Sequence, residues 1–351
     1  MPRNQPPLVT TLTPVLDEER HIRETVAALQ GQDVADQAEF IFIDGRSTDR
    51  TRPILEALAR IDPRIRVLDN PARHTASGLN IGLRAASGAY VARVDAHTSY
   101  PPHYLSGGIE RLRREDVDWV SGPQLPVGEG RWSRRVALAL GTPLATGGSN
   151  RWNRDVAQHG GGEVELGTGV FTGVWRRTTL DHYGGWDEGW PINQDSELAA
   201  RVLGEGGRIV SLPSLAARYV PRDSLRRLGR QYFRYGMYRA KTSLRHPSTV
   251  RPVQLGLPGV AAALTCSVAA PRLLRRAARG AMAAYAAAVV AQSARTTAVA
   301  SRDTLALPAV FATMHVAWGA GFLVGLVRFA PPARRRPALA DDLVRRSVLP
   351  G

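Results

Sequence analysis

A chain of 351 residues exceeds the roughly 100–200 residues of an ordinary domain, so one large domain with an appendage is expected. With 44% hydrophobic and 22% charged residues it is neither disordered nor collagenous, and its single cysteine, Cys266, excludes a disulfide framework or a cysteine-built zinc site and points to a reducing compartment. The net charge of +15 is carried almost wholly by arginine, Lys241 being the sole lysine, and it is spread along the chain without a nucleic-acid-binding motif, so nucleic acid is not an expected partner.

Residues 1–10 are polar and proline-rich, which predicts no signal peptide and a first half that stays in the cytoplasm. Leu8–Thr13 reads as a strand, followed by a helix on which Ile22, Val26 and Leu29 recur at helical spacing. Glu39–Ile43 reads as a second strand, and Ser47, Thr48 and Asp49 offer caps for a helix carrying Ile54, Leu55 and Leu58. A third strand at Ile65–Leu68, a helix at Gly78–Ala86 and a fourth strand at Tyr90–Val94 continue the alternation. Such alternation implies βαβ units, a mainly parallel sheet covered on both faces, and a ligand site beyond the strand ends. That rule makes neighbours of Pro14–Glu19, Asp44–Asp49 and Asp95–His97.

Past residue 250 three uncharged stretches follow, Pro252–Pro271, Gly280–Ala294 and Thr304–Val327. A membrane-spanning helix needs about 20 apolar residues, which the third supplies; a soluble bundle of alanine-rich helices also accounts for the composition. Arg272, Arg275, Arg276 and Arg279 precede the second stretch, and Arg328, Arg334, Arg335 and Arg336 follow the third. With both clusters held inside, residues 280–327 are expected to form a membrane hairpin and the first stretch an interfacial or re-entrant helix.

Four carboxylate-bearing segments carry the candidate chemistry. PVLDEER (14–20) turns out of the first strand, where acidic residues also serve ordinary helix-dipole chemistry. IFIDGRSTDRT (41–51) ends a strand on Asp44, placed to accept hydrogen bonds from a base or ribose, or simply to begin a turn. In AYVARVDAHTSYPP (89–102), Asp95 and His97 lie one residue apart after a strand, where a carboxylate and an imidazole together suit Mn²⁺, and Mg²⁺ less well. In WPINQDSELAARVLGEG (190–206), Asp195 opens a helix, either as a cap or as a general base for an attacking hydroxyl. Trp186 and Trp190 lie just upstream, as a sugar-stacking platform or as core.

The order of these segments over residues 8–235 resembles the family 2 glycosyltransferases, inverting enzymes of the GT-A fold that use nucleotide-diphosphate sugars. PVLDEER is similar to that family's P-x-x-N-E-E opening, with Asp17 in place of asparagine; DGRSTDRT is similar to its D-G-S-T-D-x-T turn, with Arg46 extra or altered. Residues 70–97 resemble the phosphate-approach segment leading into the metal-binding D-x-D, with His97 for the second aspartate. NQDSEL resembles the E-D-x-E-L base motif, with Gln194 for its first glutamate. Within the family, D-A-H, N-Q-D-x-E-L and the tail HVAWGAGFLVGL (315–326) resemble the bacterial succinoglycan-type exopolysaccharide enzymes. QYFRYGMYRAKTSLRHP (231–247) resembles the Q-x-x-R-W element of membrane-linked members, with Tyr235 for tryptophan; the same residues also read as a basic helix lying on an anionic leaflet.

The resemblance implies a GT-A, Rossmann-like nucleotide-sugar-binding domain over 1–235 and a membrane-associated helical region over 236–351. It further implies inverting transfer of a hexose from a donor expected to be UDP-linked to a hydroxyl of a lipid-linked or growing glycan, at the cytoplasmic face of the cell membrane. Pro14, Glu18, Asp44, Arg73 and Asp95 are then expected on the nucleotide sugar, and Asp95 and His97 on Mn²⁺ or Mg²⁺. Asp195 becomes the base, and Trp186, Gln231, Arg234 and Tyr235 lie on the acceptor and diphosphate. A polyprenyl-phosphate sugar synthase and a non-catalytic scaffold for nucleotide sugars are the alternatives. GGGEVELGTGV (160–170) is expected to be an acceptor-side loop.

Overall fold

A computed structural model describes residues 6–147, 162–167, 172–296 and 302–330. Among them the strands are β1 (Val9–Val15), β2 (Ala38–Asp44), β3 (Ile65–Asp69), β4 (Tyr90–Arg93), β5 (Thr98–Ser99), β6 (Trp119–Ser121), β7 (Gln124–Pro126), β8 (Val164–Glu165), β9 (Gly173–Arg176), β10 (Ile209–Ser211) and β11 (Ala217–Tyr219). The helices are α1 (Ile22–Gln30), α2 (Thr51–Ile61), α3 (Thr75–Ala85), α4 (Tyr104–Leu112), α5 (Arg131–Leu140), α6 (Pro143–Thr146), α7 (Arg177–His182), α8 (Gln194–Gly204), α9 (Leu225–Arg245), α10 (Pro252–Ala269), α11 (Arg272–Thr296) and α12 (Arg302–Phe329).

β1 to β4 are parallel, as the βαβ spacing predicts, and lie in the order β3-β2-β1-β4. The sheet then continues through β9, antiparallel to both β4 and β6, to β10 and β8. Every residue of β2 is buried because helices cover both faces of the sheet, which is why Phe40–Ile43 is an unbroken apolar run. One core packs β1, β2 and β4 against α1, α2 and α4; the other, on the opposite face, holds Trp119, Trp175 and Trp186 with α3 and α8. Gly173 lets Trp119 lie against β9, since a Cβ there would stand 1.9 Å from the indole nitrogen. A second sheet, β5-β11-β7, draws the chain after β4 toward α9.

The C-terminal helices form a separate apolar cluster against α5, in which Val136 and Leu140 meet Leu228, Leu307, Phe311 and Met314. α9 runs through residues 235 and 236 without a break and lies along α12. Their backbones touch where side chains are absent: a Cβ on Gly236 would stand 1.9 Å from the Trp318 carbonyl oxygen, and one on Gly321 2.0 Å from that of Phe233. Arg135 of α5 ties this unit further through an ion pair to Asp303 at 2.9 Å.

By length and composition, the described helices able to cross a membrane are Pro252–Ala269 and Asp303–Phe329. The arm expected at 280–294 falls in α11 and is not one of them, whereas the first stretch, expected only at the interface, is. The reason is local: α11 opens with Arg272, Arg275, Arg276 and Arg279 inside the helix, while α10 carries no charge. α12 is also the more buried of the two, 44% of its apolar window against 11% for α10. Arg334, Arg335 and Arg336 lie outside the described residues.

Candidate active site

The loops after β1 and β2 are stitched together by their own polar side chains. Thr48 N donates to Asp17 Oδ1 (2.7 Å), Asp17 N to Ser47 Oγ (3.0 Å), Glu18 N to Thr51 Oγ1 (2.7 Å) and Glu19 N to Asp49 Oδ2 (3.1 Å). Asp17 and Arg46 take left-handed backbone conformations to achieve this, at φ 56° and 58°. Two segments separated by about thirty residues thus become one rigid rim. Of the caps expected from Ser47, Thr48 and Asp49, only Asp49 reaches α2, its Oδ1 accepting from Thr51 N (2.9 Å); Arg50 takes the cap position, and Ser47 and Thr48 bond to Asp17 instead.

β4 ends on Arg93, and the turn that follows presents Asp95 and His97. Arg93 is 6% exposed and forks between two carboxylates. Its Nε donates to Asp95 Oδ1 (2.9 Å), its Nη2 to Asp95 Oδ2 (3.2 Å) and its Nη1 to Asp195 Oδ1 (2.5 Å). Burial alone lowers an arginine pKa; here Asp195 and Asp95 more than offset it and hold Arg93 above its ordinary range. Asp195 reaches this position from the first turn of α8, whose flanking Asn193 adopts the left-handed conformation at φ 67° that asparagine tolerates. His97 Nδ1 lies 3.2 Å from Glu18 Oε1, joining the first loop to the fourth. That hydrogen bond, opposed by burial and reinforced by the charge of Asp95, raises the His97 pKa.

These groups line one cavity of about 1030 Å³. At its polar end are Arg93, Asp95, His97, Gln194 and Asp195. α9 forms one wall with Arg227, Arg230, Gln231, Arg234, Tyr235 and Arg239. Gln231 Nε2 donates to Tyr235 Oη (2.9 Å). The arginines that the sequence offers to a lipid surface therefore turn in part toward this cavity. The far end is apolar, built from α5, α6, α10 and α12.

Of the residues singled out from sequence, Asp95, His97, Asp195, Gln231, Arg234 and Tyr235 line this cavity, with Glu18 beside it on His97. The others do not. Asp44 is fully buried at the end of β2, its Oδ1 accepting from Ser47 Oγ (2.6 Å) and its Oδ2 facing Arg52 at 3.6 Å. In this arrangement Oδ1 anchors the turn, while Oδ2 is buried without a hydrogen-bond partner among the described residues. Pro14 packs toward Gly78 of α3, and Arg73 is exposed on the loop after β3, its Cα beside Gly45. Trp186 is corrected from acceptor platform to core: it is 1% exposed and set edge-on to Trp175 at 5.6 Å, so neither face is open to a sugar. Trp190 is likewise buried, with Lys241 Nζ 3.8 Å above its ring. Residues 160, 161 and 168–170 of the glycine-rich loop lie outside the described residues.

Sequence reasoning missed Arg93. Its signal was a charged residue within an apolar strand two positions before Asp95, a placement that burial forbids without partners. Asp95 and His97 line the same cavity, and a carboxylate with an imidazole is a donor set that suits a divalent cation, the carboxylate keeping a second lone pair on each oxygen bound by Arg93. No cluster of three metal-binding side chains occurs among the described residues, so the remaining ligands would come from a diphosphate and water.

Comparison with known proteins agrees with this geometry. Residues 10–178 match the family described as Glycosyl transferase family 2. The chain is 32% identical over 258 residues to the succinoglycan biosynthesis protein ExoA of Rhizobium meliloti (strain 1021), covering 69% of this chain and 75% of that protein. It is 23% identical over 237 residues to a dolichyl N-acetyl-alpha-D-glucosaminyl phosphate 3-beta-D-2,3-diacetamido-2,3-dideoxy-beta-D-glucuronosyltransferase of Methanococcus voltae, covering 65% and 71%. Among solved structures, the mannosyltransferase PcManGT from Pyrobaculum calidifontis, in complex with GDP-Man and Mn²⁺, superposes with a TM-score of 0.59 at 20% identity, covering 92% of this chain and 88% of the other. The shared architecture is the GT-A fold.

Proposed function

The chain belongs to glycosyl transferase family 2, and from that premise we propose that it transfers a hexose, with inversion, from a nucleotide-diphosphate sugar to a hydroxyl of a lipid-linked or growing glycan in exopolysaccharide synthesis. The observation that carries the reading is the meeting of Asp95, His97 and Asp195 at the polar end of one cavity, with Arg93 bridging the two aspartates. The names of the Rhizobium and Methanococcus relatives support a glycan product, and the bound GDP-Man of the Pyrobaculum structure supports a nucleotide-sugar donor. Uridine is our choice of base.

In this reading Asp95 and His97 hold Mn²⁺ or Mg²⁺, which when bound neutralises the donor diphosphate and eases departure of the nucleotide. Arg234 and Gln231 close over the diphosphate from α9. Tyr235 flanks the acceptor. Glu18 sets the orientation of His97 through its Nδ1, leaving Nε2 toward the cavity. Asp195 takes the proton of the acceptor hydroxyl as that oxygen attacks the anomeric carbon opposite the leaving group; one displacement inverts the centre. Arg93 keeps the base aimed until the acceptor arrives. The two apolar helices favour a membrane location, which we propose to be the cytoplasmic face.

Asp195→Asn tests the assignment. Turnover is expected to fall about 10²–10⁴-fold while nucleotide affinity stays close to wild type, measured by nucleotide release from a donor panel with and without Mn²⁺. Near-normal turnover removes Asp195 as the base.

A further inference from the structure

Arg239 is the most anomalous charge in the molecule. It is 6% exposed, lines the cavity wall from α9, and has no carboxylate partner among the described residues. Its Nη2 donates only to neutral groups, the Thr249 carbonyl, Thr249 Oγ1 (3.3 Å) and Gln254 Oε1 (3.2 Å). Its Nε is buried without any partner among the described residues. Burial and the nearby Arg251 together push its pKa down, to about 10, so the cation persists at neutral pH at a cost. Arg251 lines the same wall, its guanidinium beside Gly167. Arg239 and Arg251 line the cavity with no ion pair of their own among the described residues, which makes them a candidate site for an anion.

This site is not the donor's. Arg239 lies eight residues beyond Gln231 on α9, a rise of about 12 Å away from it along the helix. What adjoins it is apolar. Val253, Gly256, Leu257 and Val260 line the cavity from α10 at the i, i+3, i+4, i+7 spacing of a single helical stripe, with Trp318 of α12 in the same cavity. An anion continuous with a hydrocarbon chain satisfies both surfaces at once. A free glycan satisfies neither.

We propose that Arg239 and Arg251 bind the phosphate that links the acceptor to an isoprenoid chain, and that the chain runs over the α10 stripe. This rests on reading the cavity as a transferase site. It places the acceptor's lipid end at the α10 side and its sugar end toward Asp195.

The test uses the full chain in non-ionic detergent with Mn²⁺ and a saturating mixture of UDP and GDP filling the donor end, titrated with farnesyl diphosphate, farnesol or inorganic pyrophosphate. Farnesyl diphosphate is expected to bind at least about tenfold more tightly than either other probe, and Arg251→Gln to weaken it about tenfold while leaving farnesol unchanged. Arg251 is half-exposed, so this variant avoids the folding defect that loss of Arg239 invites. Equal binding of farnesyl diphosphate by Arg251→Gln and wild type overturns the proposal, as does pyrophosphate binding as tightly as farnesyl diphosphate. If neither nucleotide binds the wild type, the transferase reading itself fails; if nucleotide binds and farnesyl diphosphate does not, only the lipid site fails.

Discussion

Replacing Arg93 by methionine preserves much of its volume and removes a charge that holds two acidic groups. The structure gives the scale. Arg93 makes three charge-assisted hydrogen bonds, two to Asp95 at 2.9 and 3.2 Å and one to Asp195 at 2.5 Å, in a site where it is 6% exposed. Removing one member of such a buried cluster costs about 3–5 kcal/mol, because the remaining charges keep their desolvation cost and lose their partner. For a protein of this size that corresponds to a fall in Tm of about 4–7 °C. Transfer should fall further than stability accounts for, by about 10²-fold, since the base loses its aim. Arg93→Lys restores the charge but cannot fork between two carboxylates, so it should recover part of the Tm and little of the turnover. Thermal unfolding in detergent and nucleotide release measure the two effects separately. A methionine variant within about 2 °C of wild type, with turnover within about threefold, refutes the argument that this triad frames the site.

Two further outcomes follow from other parts of the fold. Gly236→Ala forces a methyl into the Trp318 carbonyl and should lower the Tm through an overpacking cost of about 1–3 kcal/mol, whereas Gly259→Ala, with nothing near its Cβ, should be neutral or slightly stabilising; equal effects in thermal unfolding would contradict the packing between α9 and α12. Asp62 is held at a pKa of about 2, below its ordinary 3.8, chiefly by the Arg64 guanidinium. Because the folded-state value is depressed, its contribution of about 2 kcal/mol is present above pH 4 and lost as pH falls toward 2; the stability gap between wild type and Asp62→Asn in urea titrations should therefore narrow steadily from pH 5 to pH 3.

The first four strands and their helices were legible because each carries an apolar pattern bounded by turn residues, and β2 most of all. The second half of the sheet was not: β6, β9 and β10 are three or four residues long, and β9 enters antiparallel between strands distant in sequence. The same distinction governs the site. Asp95, His97 and Asp195 could be named because each follows or opens a regular element. Their common partner Arg93 could not, since in sequence it is one arginine among many. Trp186 shows the converse error, in which a residue type suited to ligand binding is consumed by the core of the fold itself. The apolar far wall comes from segments more than a hundred residues apart, α5 and α6 on one side and α10 and α12 on the other, and no local pattern announces their meeting.

Where Gly236, Gly321 and Gly325 bring bare backbone against the facing helix, there is no side-chain layer to act as a bearing. α9 and α12 can neither slide nor roll past each other without a steric collision, so they must move as a single strut. Gln231, Arg234 and Tyr235 therefore hold their places in the cavity wall on a helix whose position is set by α12.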